Sequence, residues 1–103
     1  TKRQPELQTY VHSEHFFTNE TKDGVIFSSF AGGFTTPNSK NTRSELREMD
    51  GKKLASWTVS KGKHMMQYNG KVLKIPNVMP SVVIGQIHDD KDDVIEECLK
   101  EIL

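Results

Sequence analysis

Turn-forming residues punctuate this chain so evenly that little other than short antiparallel strands fits between them. Asp23-Gly24, Met49-Asp50-Gly51-Lys52, Lys61-Gly62-Lys63, Asn69-Gly70, the loop bracketed by Pro76 and Pro80, and the charged turn over 89–93 follow one another along the chain. Most of these breaks recur at about 8 to 12 residues, the interval of β-sandwiches and jelly rolls. Residues 25–30 are an apolar strand run. Ala55, Trp57 and Val59 alternate with Ser56, Thr58 and Ser60, the pattern of a half-buried strand. Asn69-Gly70, between residues 64–68 and 71–75, is the strongest short hairpin signal in the sequence. Residues 81–88 predict a further strand with Val82 to Ile84 at its centre, and 41–48 predict one more, although Ser-Glu-Leu-Arg-Glu also suits a helix by propensity. The fold class that follows is all-β, an antiparallel sandwich or jelly roll in partial form.

The ends depart from this pattern. Residues 1–19 are polar, contain Pro5 and lack periodicity, which predicts an N-terminal arm. His12 and His15 lie there without the cysteine or carboxylate spacing of a metal site. Asn19-Glu20-Thr21 matches a glycosylation acceptor. The glycines of the 31–39 loop lack the Gly-Lys-Ser/Thr ending of a phosphate-binding loop. In the tail, 94–103, Val94, Ile95, Cys98, Leu99 and Ile102 follow a helical stripe and Asp93 is placed to cap it, so a short C-terminal helix is predicted. The acidic cluster before it lacks the glycine and distal glutamate of a calcium loop.

With 103 residues the chain has room for one small domain. Its apolar content of 34% is lean for a core that must stand alone, where about 45% is usual. Lys plus Arg and Asp plus Glu are equal at 14 each, so no global field points to nucleic acid or to a membrane surface. No apolar run approaches the length of a membrane span. A single cysteine, Cys98, excludes an internal disulfide.

Chemistry concentrates in two stretches. If residues 42–48 and 85–88 are strands, a period of two puts Arg43, Glu45 and Arg47 on one side of the first, and Gln86 with His88 on one side of the second. Guanidinium groups, an amide, a carboxylate and an imidazole suit the binding of a carboxylate-bearing substrate and the movement of a proton. On its own, an Arg-x-Glu-x-Arg face is ordinarily a surface ion-pair ladder.

Arg43-Ser44-Glu45-Leu46-Arg47 and Gln86-Ile87-His88, in this order and separation, resemble two signature blocks of the alginate lyases of polysaccharide lyase family 7. Asn41-Thr42 before the first block, and Val83-Ile84-Gly85 and Asp89-Asp90 around the second, are similar to that family as well. The resemblance covers roughly residues 20 to 95 of this sequence. It implies a partial jelly-roll domain over 20–93 followed by an atypical tail over 94–103. The family's third block, a tyrosine-bearing Tyr-Phe-Lys-Ala-Gly segment that supplies the proton donor, has no counterpart here: the tyrosines are Tyr10 and Tyr68. The resemblance therefore implies the N-terminal half of a lyase domain, which would pair with a missing C-terminal half or with itself.

What the resemblance implies for function is cleavage of 1,4 links in alginate by β-elimination. Arg43 and Gln86 would neutralise the uronate carboxylate, His88 would take the C5 proton, and Glu45 and Arg47 would fix the site and contact neighbouring sugars. It implies no metal and no organic cofactor, an extracellular place of work, and an anionic polysaccharide as the partner. The alternative is a binding remnant that holds polyuronate without turning it over. A nucleic-acid binder using Arg43, Arg47, Lys52 and Lys53 is disfavoured by zero net charge.

Overall fold

A computed structural model of the chain describes residues 1–32, 41–58, 60–78, 80–91 and 93–100. These form two compact units, Thr1–Leu46 and Arg47–Leu103. Their order of elements is a single 3-10 turn at Glu6–Thr9, then β1 (Phe16–Thr18), β2 (Val25–Phe27), β3 (Met49–Asp50), β4 (Lys53–Leu54), β5 (Ser81–His88) and β6 (Asp93–Lys100). The strands pair as three antiparallel two-stranded ladders, β1-β2, β3-β4 and β5-β6. The all-β fold class stands, in the partial form that the sequence predicts.

In the first unit, β1 and β2 bring Phe16 opposite Phe27 and Thr18 opposite Val25. The Phe16 and Phe27 rings lie 5.3 Å apart, and Tyr10 stacks on Phe16 at 6.1 Å. The connecting turn is held by Asn19. Its Oδ1 accepts from the Asp23 and Gly24 amides at 3.1 and 3.2 Å, while its Nδ2 donates to Asp23 at 2.8 Å. The Thr21 hydroxyl also donates to Asp23 at 2.6 Å, and these bonds to the charged form pull the Asp23 carboxyl below its ordinary 3.8. The acceptor asparagine of the glycosylation motif is thus the staple of its own turn.

The sequence predicts a strand over 41–48. Residues 42–48 instead form no ladder. The segment is tethered by short hydroxyl side chains that donate to backbone carbonyls of the same unit: Thr42 to Phe30 and Ser44 to His15, each at 2.6 Å. The expected glycine-rich loop over 31–39 falls almost wholly outside the described residues.

In the second unit, the Asp-Gly signal yields the β3-β4 hairpin, with Asp50 opposite Lys53. Gly51 takes the left-handed conformation, φ 61°, that this tight connection needs and that a side chain disfavours. The alternating stretch beyond Leu54 stays outside the ladder, tethered by the Trp57 amide to the His88 carbonyl at 2.7 Å. The hairpin expected at Asn69-Gly70 does not form, and residues 64–75 carry no strand. Met65 and Leu73 on its flanks are about 70% and 69% exposed; without a surface to bury an apolar face, an isolated two-stranded hairpin is not stable.

The largest correction concerns the tail. The helix expected over 94–103 is a strand as far as it is described: β6 pairs with β5 from Ser81 opposite Lys100 to His88 opposite Asp93. Asp93 starts a strand rather than a helix. An eight-residue edge such as β5 offers a row of backbone donors and acceptors, and pairing with it outweighs a weak local helix preference. The ladder is interrupted between Val83 and Gly85 and again between Ile87 and His88, so one bulge sits on each side of the Gly85–Gln86–Ile87 stretch.

Among the described residues none is buried. The lean apolar content is reflected directly: the strands are half-buried or exposed, and no shared core closes over either unit.

Candidate functional site

The sequence-predicted residues fall in both units. Arg43 and Glu45 belong to the first, Arg47, Gln86 and His88 to the second. In the first unit the Arg43 guanidinium donates to Glu45 at 3.2 Å, and both side chains are about half exposed. That pair is the ion-pair ladder of the plain sequence reading, a contact worth about 0–1 kcal/mol in such a setting. Arg47 in the second unit is half-buried, and its Nη2 donates to the Ala55 carbonyl at 3.2 Å, across the β3-β4 hairpin.

Gln86 and His88 are brought together. Two residues apart on β5, they project to the same face, where His88 Nε2 lies 3.3 Å from Gln86 Oε1. Both are half-buried. The same face of β6 contributes Glu96, directly opposite Gln86 in the ladder, and Gln86 Nε2 donates to its carboxylate at 3.1 Å. Cys98, two positions along, donates to the other oxygen of Glu96 at 3.2 Å. Glu96 was missed from sequence because it enters this face only if the tail is a strand; on a helical tail nothing ties residue 96 to residue 86.

The opposite face of β5 is differently furnished. Gly85 has no side chain, and the space is taken by Met66 and Tyr68: a Cβ there would meet Met66 Cε at 2.9 Å and the Tyr68 hydroxyl at 3.1 Å. That hydroxyl donates to Glu97, the residue opposite Gly85, at 2.6 Å. The bond to Glu97, then desolvation and then the carboxylate's charge push the Tyr68 phenol above its ordinary 10.0. Met66, Tyr68, Ile84 and Glu97 border an open hollow of about 460 Å³. The only tyrosine of this unit therefore lies on the face away from Gln86 and His88, held as a neutral phenol.

Two further histidine contacts occur, one in each unit. Trp57 stacks on His64 at 5.1 Å, and His64 Nε2 contacts the Thr58 carbonyl at 3.1 Å. His12 and His15 stack at 4.6 Å in the first unit, with His15 Nδ1 at 2.9 Å from the Ser28 carbonyl. Among the described residues no three His, Cys, Asp or Glu side chains come together as a metal site would require, and no helix is long and apolar enough to cross a membrane.

The chain is all-β, with an amide and an imidazole side by side on one strand face. Compared with known families, residues 1–102 match the family model described as alginate lyase, and the chain belongs to that family. The match extends beyond the roughly 20 to 95 that the two motifs span, and takes in both the N-terminal segment and the tail. No curated protein and no solved structure gives a significant match.

Proposed function

We propose that this chain is a polyuronate lyase that acts on alginate by β-elimination, with His88 as the base. The observation that carries this is the pairing of Gln86 and His88 on one face of β5 in a chain of the alginate lyase family. The difficult step is removal of the C5 proton, which lies α to a charged carboxylate. Donors that neutralise that carboxylate stabilise the enolate-like dianion as it forms. Gln86 suits this through the N–H groups of its amide.

His88 takes the C5 proton, and the electron pair of that bond becomes the C4–C5 double bond. The C4–O4 bond breaks, and O4 acquires a proton from water or from the imidazolium. Arg43 and Arg47 are proposed to bind uronate carboxylates through guanidinium forks, with Glu45 fixing the Arg43 side chain at 3.2 Å. Nothing in this sequence of steps requires a metal or organic cofactor, and the substrate class supports an extracellular place of work.

One observation favours a second reading. Tyr68 is turned to the far face of β5 and bonded to Glu97, so the phenol that the family uses does not come from this residue. A chain that binds polyuronate without cleaving it would fit that arrangement. Incubation of the protein with alginate separates the two. A rising ultraviolet absorbance from unsaturated uronate ends is the expected result. Salt-sensitive binding with no unsaturated ends would establish the binding reading, and neither binding nor cleavage would overturn both.

A further inference from the structure

The strongest turn signal in the sequence makes no hairpin, and the dipeptide that carries it has a covalent chemistry of its own. We propose that Asn69-Gly70 is a site of spontaneous modification, at which Asn69 converts to aspartate and isoaspartate through a succinimide ring.

The reaction makes two demands on a chain. The backbone nitrogen after the asparagine must be uncrowded, and both residues must rotate until that nitrogen reaches the side-chain carbonyl. Glycine meets the first demand, because it has no Cβ beside the attacking atom. Asn69 is the asparagine of this chain that precedes a glycine; the others precede Glu20, Ser39, Thr42 and Val78.

The local structure meets the second demand. In a two-residue hairpin of type I′, both central residues take positive φ and the flanking ladder holds them there. Neither Asn69 nor Gly70 is in that region, residues 64–75 carry no strand, and both residues are exposed. Asn19 is the contrast within the same chain. It is half-buried, its Nδ2 donates to the Asp23 carboxylate, and its Oδ1 accepts from the Asp23 and Gly24 amides.

Water and hydroxide are the only other reactants. Hydroxide removes the Gly70 amide proton, and the nitrogen attacks Asn69 Cγ. The new N–Cγ bond closes a five-membered ring as the Cγ–Nδ2 bond breaks. The departing nitrogen takes a proton from water and leaves as ammonia, which regenerates hydroxide. A second water then opens the ring. Attack at Cγ gives aspartate, and attack at the backbone carbonyl carbon gives isoaspartate, which lengthens the main chain by one methylene.

Either product adds one unit of negative charge to a chain whose formal net charge is 0. It does so at the border of the open hollow, which Asn69 and Gly70 line together with Tyr68 and Glu97.

The test is to hold the whole chain at mildly alkaline pH, without substrate, in buffer and in urea. Each asparagine is then followed by peptide mass spectrometry, with enzymatic methylation to detect isoaspartate. In buffer, Asn69 is expected to convert ahead of every other asparagine, giving both products. Its rate should lie within about 5-fold of the rate in urea, because no ladder has to open first.

In Gly70→Ala the added Cβ would meet the Tyr68 ring at 3.6 Å, an ordinary contact. Conversion at position 69 should then slow severalfold, in buffer and in urea alike. Protection of Asn69 in buffer beyond the stated margin overturns the proposal. Faster conversion at Asn19, Asn41 or Asn77 overturns it too, as does a rate that Gly70→Ala leaves unchanged.

Discussion

The two faces of β5 carry the same kinds of atoms to different ends. On one, polar contacts link Glu96 to Gln86 and Gln86 to the His88 imidazole. On the other, Tyr68 and Glu97 close over a glycine, and the hydroxyl that could move a proton is instead bound to a carboxylate that raises its pKa. A strand with period two can separate chemistry from anchorage within three residues. Here Gly85 admits the anchor while Gln86 and His88 face the work.

This contrast can be broken by mutation, most severely at His88. His88→Ala should lower the rate of alginate cleavage by about 10²- to 10⁴-fold, the contribution of a positioned base, followed as ultraviolet absorbance of the unsaturated product. Gln86→Ala should cost about 10²- to 10³-fold in kcat, as removal of one preorganised donor does.

On the anchoring face the effect is on stability. Gly85→Val drives methyl groups into Met66 and Tyr68 and should destabilise the second unit by about 1–3 kcal/mol in urea titration, with cleavage per folded molecule little changed. Gly85→Ala should be milder, because the nearest atom, at 2.9 Å, is the mobile end of Met66.

The smallest effect is a titration. Tyr68 has its pKa raised in the folded chain, so its bond to Glu97 is fully present below the ordinary 10.0 and is lost as pH rises through the raised value. Spectroscopic titration of the phenol should show this late step, and Glu97→Gln should move it back toward the ordinary value. A late step that persists in Glu97→Gln would sever the link between the two.

The sequence foretold β5 from end to end, because an apolar run flanked by Pro80 and an acidic turn has few other uses. It foretold the β3-β4 turn from Asp50-Gly51 as well, and the antiparallel class from the spacing of the breaks. It misled where local signals had no surface to act on. Asn69-Gly70 is a good turn, yet its flanks lie exposed, and the ladder that would justify it is absent among the described residues.

The tail misled for a related reason. Ile95, Cys98 and Leu99 satisfy a helical stripe, but Ile95 and Leu99 also share one side of a strand, and the waiting edge of β5 decides between them. Of the candidate site, the sharing of a face by Gln86 and His88 was legible from period two alone. Glu96 was not, since its place depends on a register that no local pattern encodes. Nor was the pairing of Thr42 and Ser44 with distant carbonyls.

The most direct measurement compares alginate cleavage by the wild-type chain, His88→Ala and Tyr68→Phe under identical conditions. The account predicts unsaturated ends from the wild type, nearly none from His88→Ala, and close to wild-type rates from Tyr68→Phe. Loss of cleavage in Tyr68→Phe with His88→Ala still active would contradict it, and would move the chemistry to the face assigned here to anchorage.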